Sequence, residues 1–309
     1  MPNTKADYQL LTRLISDETA AREYLESLRW PDGPVCPHCG CSEAYRLVAK
    51  KVSARPARAG LLKCKSCRKQ FTVKVGTIFE DSNLPLNKWL FAISLMTSSK
   101  KGISAHQLHR TLGVTYRTAW HVCHRIRKAM EREPLAGLLT GIVEADETFV
   151  GGKKRGAQGP HDGKAIVMAV VERDGQARSQ VVEDVKADTL QGFIVDEVDP
   201  SADIMTDGLL SYKGLEKSFA SHSSVNHDEH YVVGQVHTNT AESLFSLLKR
   251  GILGTFHHVS AKHLQRYASE FDFRWNRRDV KDSERMRAAI QAAPGKRLKY
   301  RQLVAGLPA

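Results

Sequence analysis

Two C-x2-C knuckles, CPHCG at Cys36 to Gly40 and CKSC at Cys64 to Cys67, restrict what this chain can fold into more than any other stretch. Four thiolates brought to tetrahedral reach are the donor set zinc prefers, and a hairpin-length insert of 24 residues separates Cys39 from Cys64. The spacing predicts a zinc ribbon with Cys36, Cys39, Cys64 and Cys67 as ligands of a structural Zn2+. Gly40 permits the tight turn that aims backbone amides at sulfur. A site closed by four cysteines keeps no open position, so no chemistry is assigned to it. Cys41 and Cys123 remain as spare thiols. The insert is basic (Lys50, Lys51, Arg55, Arg58, Lys63), which suits either a solvated surface or phosphate contact.

The rest of the 309 residues suggests roughly two domains plus smaller modules. A net charge of +12 favours a polyanionic partner such as a nucleic acid, although many basic proteins bind none. No run approaches the ~18 apolar residues of a membrane span. The start, MPNTKADYQL, lacks a basic-then-apolar signal pattern, so a cytoplasmic protein is expected. Six cysteines in such a chain argue for metal or free thiols over disulfides. The segments fall as an N-terminal helix (1–30), the ribbon (31–80), a helical module (85–132), an α/β domain (140–280) and a basic, loosely packed tail (281–309).

Residues 16–29 read as a packing helix capped by Ser16 or Asp17, with Ala21, Tyr24, Leu25 and Leu28 as its stripe. A helix over 85–98 follows. Ser104 then caps a short helix, Leu112-Gly113-Val114 makes a turn, and Thr115 caps a longer helix with Ala119, Trp120, Val122, Ile126 and Met130 apolar. That is the helix-turn-helix pattern. Tyr116, Arg117, His121, His124 and Arg125 fall on the outward positions, as donors suited to groove edges and phosphates; a plain helical hairpin fits the same periodicity.

From Ile142 the pattern changes to strands. In IVEADETFVGG, Ile142, Glu144, Asp146, Thr148 and Val150 share one face, and Val143, Ala145, Glu147 and Phe149 the other. An acid in a core strand needs a cation, a metal or a donor. Asp207 ends a second apolar run, and Glu242 opens the helix NTAESLFSLLKRG. Strands follow over 165–173 and 177–185, joined by the Asp174-Gly175 turn, then a helix begun at Asp188, the strand DIMT, a His-rich polar connection, the helix at 240 and a last helix over 260–278. Three antiparallel strands, a helix, a strand and a helix is the order of a ribonuclease-H-like α/β domain. Lys262, Arg266, Arg274, Arg277 and Arg278 are expected to face outward from the last helix. Phosphodiester chemistry needs an activated oxygen, a stabilised leaving oxygen and charge compensation, which two divalent ions ~3.5–4 Å apart provide. Asp146, Asp207 and Glu242 are the candidate ligands for Mg2+ or Mn2+, hard ions that take few carboxylates and keep waters. Glu144 and Glu147 are near competitors of Asp146, and each acid also fits an ordinary structural role. Lys249, seven residues after Glu242, shares its helix face and could touch DNA or water.

The motifs CPHCG, CKSCRKQFTVKVGTIFEDSNLPLNKW, LGVTYRTAWHVCHRIR, VEADETFVGGKK, TDGLLSYKGL and HTNTAESLFSLLKRGILGTFHHVSAKHLQRY with EFDFRWNRR run in order from about residue 15 to 278. As a set they resemble bacterial insertion-sequence transposases of the DDE type with an N-terminal zinc ribbon. The resemblance implies a metal-dependent triad whose positions fall on Asp146, Asp207 and Glu242; 34 residues separate the last two, and Asn239 lies about one turn before Glu242. It further implies binding of terminal inverted repeats, cleavage of the DNA ends and joining to target DNA, by a dimer or higher oligomer on DNA. Two rivals remain at this point: a non-catalytic zinc-ribbon and helix-turn-helix regulator, and a ribonuclease-H-like nuclease without strand transfer.

Overall fold

In the computed structural model the described residues are 4–47, 59–131, 137–152, 162–226, 232 and 234–305. Lys50, Lys51, Arg55 and Arg58 of the basic insert, and the glycine-rich loop 153–161, lie outside them. The chain divides into two units, one of residues 1–130 with 279–309, the other of residues 131–278.

The first unit opens with a helix the sequence reading lacked, α1 (Lys5–Ser16), closed at its start by a capping box between Thr4 and Asp7. α2 (Glu18–Arg29) follows directly; Asp17 caps it by accepting from the Thr19 amide at 2.8 Å. Short strands β1 (Ala44–Arg46), β2 (Leu62–Cys64) and β3 (Gln70–Phe71) form an antiparallel sheet in that order. α3 (Leu86–Ser98) is apolar over most of its surface and correspondingly buried, with Trp89, Leu90 and Ile93 fully enclosed. α4 (Ala105–Leu112) is capped by Ser104 and ends at Gly113, whose φ of 62° supplies the left-handed turn into α5 (Tyr116–Met130). The short helix, glycine turn and longer helix therefore form as expected.

The second unit is built on a five-stranded mixed sheet. β4 (Ile142–Val150) is central and pairs antiparallel with β5 (Ala165–Glu172), which pairs antiparallel with β6 (Ala177–Val182). α6 (Ala187–Glu197) leads to β7 (Asp203–Asp207), parallel to β4, and β8 (Ser221–Val225) is parallel to β7. β8 escaped the sequence reading, which saw a polar connection there. Its residues SHSSV bury only Val225, as an edge strand can. α7 (Asn239–Gly251), a π-helical turn (Ile252–Phe256) and α8 (Ala261–Trp275) complete the unit. Val143, Ala145, Met168 and Val170 pack with Leu190 and Ile194 of α6 on one face; Val167, Ala169 and Val171 pack with Ala241, Leu244, Leu264 and Phe271 on the other. The sheet is thus sandwiched between helices, and β4 is lined by side chains on both faces.

α8 also covers the exposed edge of β6. Gln265, Asp272 and Asn276 accept from the amides of Val181, Ser179 and Ala177 at 2.7, 2.8 and 2.7 Å, in place of a further strand. Arg274, expected to face outward from this helix, is instead buried and paired with Glu270 four residues earlier.

The chain then returns to the first unit. The tail expected to be loose forms α9 (Asp282–Gln291) and α10 (Tyr300–Val304), and Met286, Ala289, Ile290, Leu298 and Leu303 are buried. The basic composition misled because its few apolar residues recur at helical spacing. No helix among the described residues is long and apolar enough to cross a membrane. Because Ile290 is 2% exposed, Ile290→Ala should cost about 2–5 kcal/mol and lower the melting temperature measured by circular dichroism; a loose tail would leave it unchanged.

Candidate active site

In the ribbon, the Sγ atoms of Cys36, Cys39, Cys64 and Cys67 all lie within 4.8 Å of one another. Cys36 and Cys67 are 3.7 Å apart, and Cys39 and Cys64 3.6 Å. A tetrahedral zinc with Zn–S near 2.3 Å sets sulfurs about 3.8 Å apart, so the four thiols fit zinc without rearrangement. Cys64 starts this arrangement from the end of β2, with Cys36 and Cys39 on the preceding knuckle. The full chain should therefore bind one zinc per molecule by atomic absorption, and Cys64→Ser should lose it together with the thermal transition of the ribbon.

The acids of the second unit converge through the sheet. β4 and β7 run parallel with Glu144 opposite Met205. Two residues further along each strand stand Asp146 and Asp207, on neighbouring strands and the same face, with strands about 4.8 Å apart. Burial pushes the Asp146 carboxyl up to about 8, and the negative charges of Glu147, Asp207 and Glu242 add to the push. The charges of these three acids are thus close enough to be felt at Asp146. Glu242 stands in the first turn of α7, exposed. Asp207 accepts from the Leu209 amide at 3.1 Å, which fixes the turn after β7. Among the described residues no basic side chain pairs with Asp146 or Asp207. The three oxygens do not gather into one shell of 4.8 Å, as the four thiols do. Hard oxygen donors, carrying excess negative charge in a partly buried site, suit a divalent cation that retains waters.

The competing acids of β4 have other partners. Glu147, on the opposite face as the periodicity predicts, accepts from the Tyr212 hydroxyl at 2.5 Å. Burial raises its pKa first, with Asp207 adding to it. Glu144 is fully buried and paired with Arg173 at 2.7 Å and His237 at 3.1 Å. Sequence reading missed Arg173 and His237. The requirement that a core acid find a partner was visible, but not which of many basic residues the turn after β5 would deliver.

The proposed DNA-reading residues of α5 divide. Tyr116 is exposed and stacks on His106, with ring centres 4.3 Å apart. Arg117 lies over the Tyr300 ring at 4.2 Å. His121 bonds through Nε2 to the Leu298 carbonyl at 3.2 Å, and burial lowers its pKa. The outward reading of His124 and Arg125 is corrected: both are buried. Arg125 donates to the Glu80 carbonyl at 2.5 Å and lies over Trp89, and burial lowers its pKa to about 10. Periodicity failed here because both flanks of α5 are covered, one by residues 79–89 and one by the returning tail. Lys249 is exposed on α7.

A four-thiol ribbon, a helical pair and an α/β sheet with Asp146 and Asp207 on adjacent strands define a modular protein. Residues 138–276 match the family profile described as ISXO2-like transposase domain, and residues 16–70 match the transposase zinc-ribbon domain. An uncharacterized protein in transposable element ISH50 of Halobacterium salinarum is 28% identical over 276 residues, which cover 83% of this chain and 90% of that protein. An uncharacterized transposase-like protein of Haemophilus influenzae is 30% identical over 101 residues, covering 33% of this chain and 81% of that protein. The chain belongs to the insertion-sequence transposases that join a zinc ribbon to a DDE transposase domain.

The crowding of acids has a measurable consequence. Asp146 is raised from its ordinary value of 3.8 to about 8, so the folded state holds its proton where the unfolded chain has lost it. That stability is present below pH ~4 and is lost as pH rises through about 8. In magnesium-free buffer with the ribbon zinc-loaded, Asp146→Asn should melt well above the parent at pH 8, since a rise from 3.8 to about 8 corresponds to on the order of 5 kcal/mol there, and the gap should close towards pH 4. Equal melting at both pH values would mean that Asp146 is not strained by its neighbours.

Proposed function

We propose that the second unit is a ribonuclease-H-like catalytic domain that cuts the ends of its insertion sequence and joins them to target DNA. The observation that carries this reading is the cluster of Asp146, Asp207 and Glu242 around β4, with no basic partner for the first two among the described residues, in a chain of this family. The three carboxylates would hold Mg2+ or Mn2+, Asp146 from the strand centre and Asp207 and Glu242 from either side. When bound, the ions supply an activated oxygen nucleophile and charge compensation on the scissile phosphate. The chain's own part is orientation. β4 and β7 fix two carboxylates by their register, and α7 brings the third on a rigid element. Lys249, exposed on α7, would contact the DNA backbone near the cut.

In the first unit the ribbon and the α4–α5 pair would act as a reader of the terminal inverted repeats, in helix-turn-helix fashion. Tyr116, Arg117 and His121 remain at or near the surface for that role, whereas Arg125 would serve by holding α5 on the core. Joining two ends calls for a dimer or higher oligomer on DNA. The protein should be cytoplasmic.

The test incubates zinc-loaded protein with Mg2+ or Mn2+, a labelled end fragment and plasmid. Joined product is expected from the parent. Asp207→Asn should lose more joining than the about 10–100-fold that removal of a supporting partner costs, while end binding in a gel-shift assay stays unchanged. Cut ends without joined product would reduce the activity to a nuclease, and full function in Asp146→Ala would leave a DNA-binding regulator.

A further inference from the structure

Glu144 stands two residues before Asp146 and is 0% exposed. Its carboxylate is saturated. Oε1 accepts from Arg173 Nε at 2.7 Å and the Thr240 hydroxyl at 3.0 Å, and lies 3.1 Å from His237 Nδ1. Oε2 accepts from the backbone amides of Thr240 at 2.7 Å and Ala241 at 3.1 Å. These two amides belong to the first turn of α7, whose own N-cap residue, Thr238, contributes no side-chain cap. A carboxylate from another strand therefore does the work of the cap and meets the positive end of the helix. Arg173 completes the tie. It donates to the His237 carbonyl at 3.1 Å, and its own amide donates to the Ile142 carbonyl of β4 at 3.0 Å. His237 Nδ1 also lies 3.2 Å from Arg173 Nη2; beside a carboxylate it suits a donating N–H, which leaves the carbonyl as the Arg173 acceptor.

The next residue after Ala241 is Glu242. Five contacts to one buried acid thus fix the start of α7 against the strand that carries Asp146. We propose that Glu144, with Arg173 and His237, is the positioning clamp that sets where the Glu242 carboxylate stands relative to Asp146 and Asp207. The proposal rests on the metal-site reading above and assigns Glu144 no contact with the ion or with DNA. A side-chain cap from within the helix would fix only the helix end. A cap from β4 fixes the helix end to the site, which a ligand set drawn from two strands and a helix requires.

The experiment measures Mn2+ binding to the full, zinc-loaded chain by electron paramagnetic resonance, alongside melting and end binding. Glu144→Gln keeps the volume but removes the charge that both α7 amides and Arg173 share. It should weaken Mn2+ binding by about 10–100-fold while the protein stays folded and binds DNA ends as before. Arg173→Lys keeps the charge but loses the directed Nε contact, and should weaken binding in the same direction. If Glu144→Gln does not fold, Arg173→Lys decides by the same measurement. Parent-like Mn2+ affinity in the folded variants overturns the clamp. Asp146→Asn separates the two readings: loss of Mn2+ binding there with parent-like affinity in Glu144→Gln sinks the clamp alone, whereas retained binding in Asp146→Asn sinks the metal site and the clamp with it.

Discussion

Strand β4 carries two acids on one face, two residues apart, and among the described residues only one has cationic partners. Glu144 is enclosed, paired with Arg173 and His237, and spends its remaining acceptor capacity on the first turn of α7. Asp146 sits among Glu147, Asp207 and Glu242, and its proton is held far above the ordinary carboxylate range. A buried charge without compensation costs several kcal/mol and is normally removed by protonation or by pairing. Two such acids in one strand would be hard to tolerate if neither were satisfied. The full pairing of Glu144 makes the strand affordable and anchors the helix that brings the fourth acid. The arrangement of the whole second unit follows from that contrast: a central strand held on both sides, and a helix start bound to it.

Much of this was legible in the amino-acid order because its causes are local. Paired C-x2-C knuckles imply a metal ribbon at any overall geometry, and the sulfurs do converge. Period-two alternation in IVEADETFV assigned Asp146 and Glu147 to opposite faces, and the partners Asp207 and Tyr212 agree. What was not legible depended on distant covering. α5 reads as amphipathic with a polar outer face, yet His124 and Arg125 are enclosed by residues far away in the chain. The tail reads as basic and loose, yet Met286, Ala289 and Ile290 make a buried stripe. The strand SHSSV has no apolar alternation because it lies at a sheet edge and buries one residue. α1 lacked a strong apolar run, and its capping box of Thr4 and Asp7 was the available signal.

The two edges of the sheet show how an edge can be closed without further strands. At β6, side chains of Gln265, Asp272 and Asn276 recur along one side of α8 and accept from successive outward amides. Gln265 and Asn276 also donate back to the Ser179 and Ala177 carbonyls at 2.9 and 3.0 Å. The helix thereby mimics both polarities of a strand. At β8 the outer edge is short and polar, and His222 is drawn inward to Thr206 at 2.9 Å. An exposed apolar edge would invite pairing with another chain. Among the described residues neither edge offers one, which leaves Asp146 at the centre of β4 and Asp207 at the end of β7 as the distinctive feature of the sheet.

Crowding acids around Asp146 sets a limit on how well the unit can be optimised. Replacing Asp146 with a neutral side chain relieves repulsion, so the most stable sequence for this fold is not the one that sets Asp146 beside Asp207 and Glu242. The stabilising contacts are arranged around that weakness and not through it. Two apolar clusters grip β4 and β5 from above and below. Glu144 fixes the start of α7, Tyr212 holds Glu147 on the far face, and the Leu209 amide fixes Asp207. The groups that reach the Asp146 and Asp207 carboxylates are backbone amides, of Glu147 and Leu209, and among the described residues no cation pairs with either acid. A polypeptide that buried a lysine among them would gain stability and lose the reason for bringing them together.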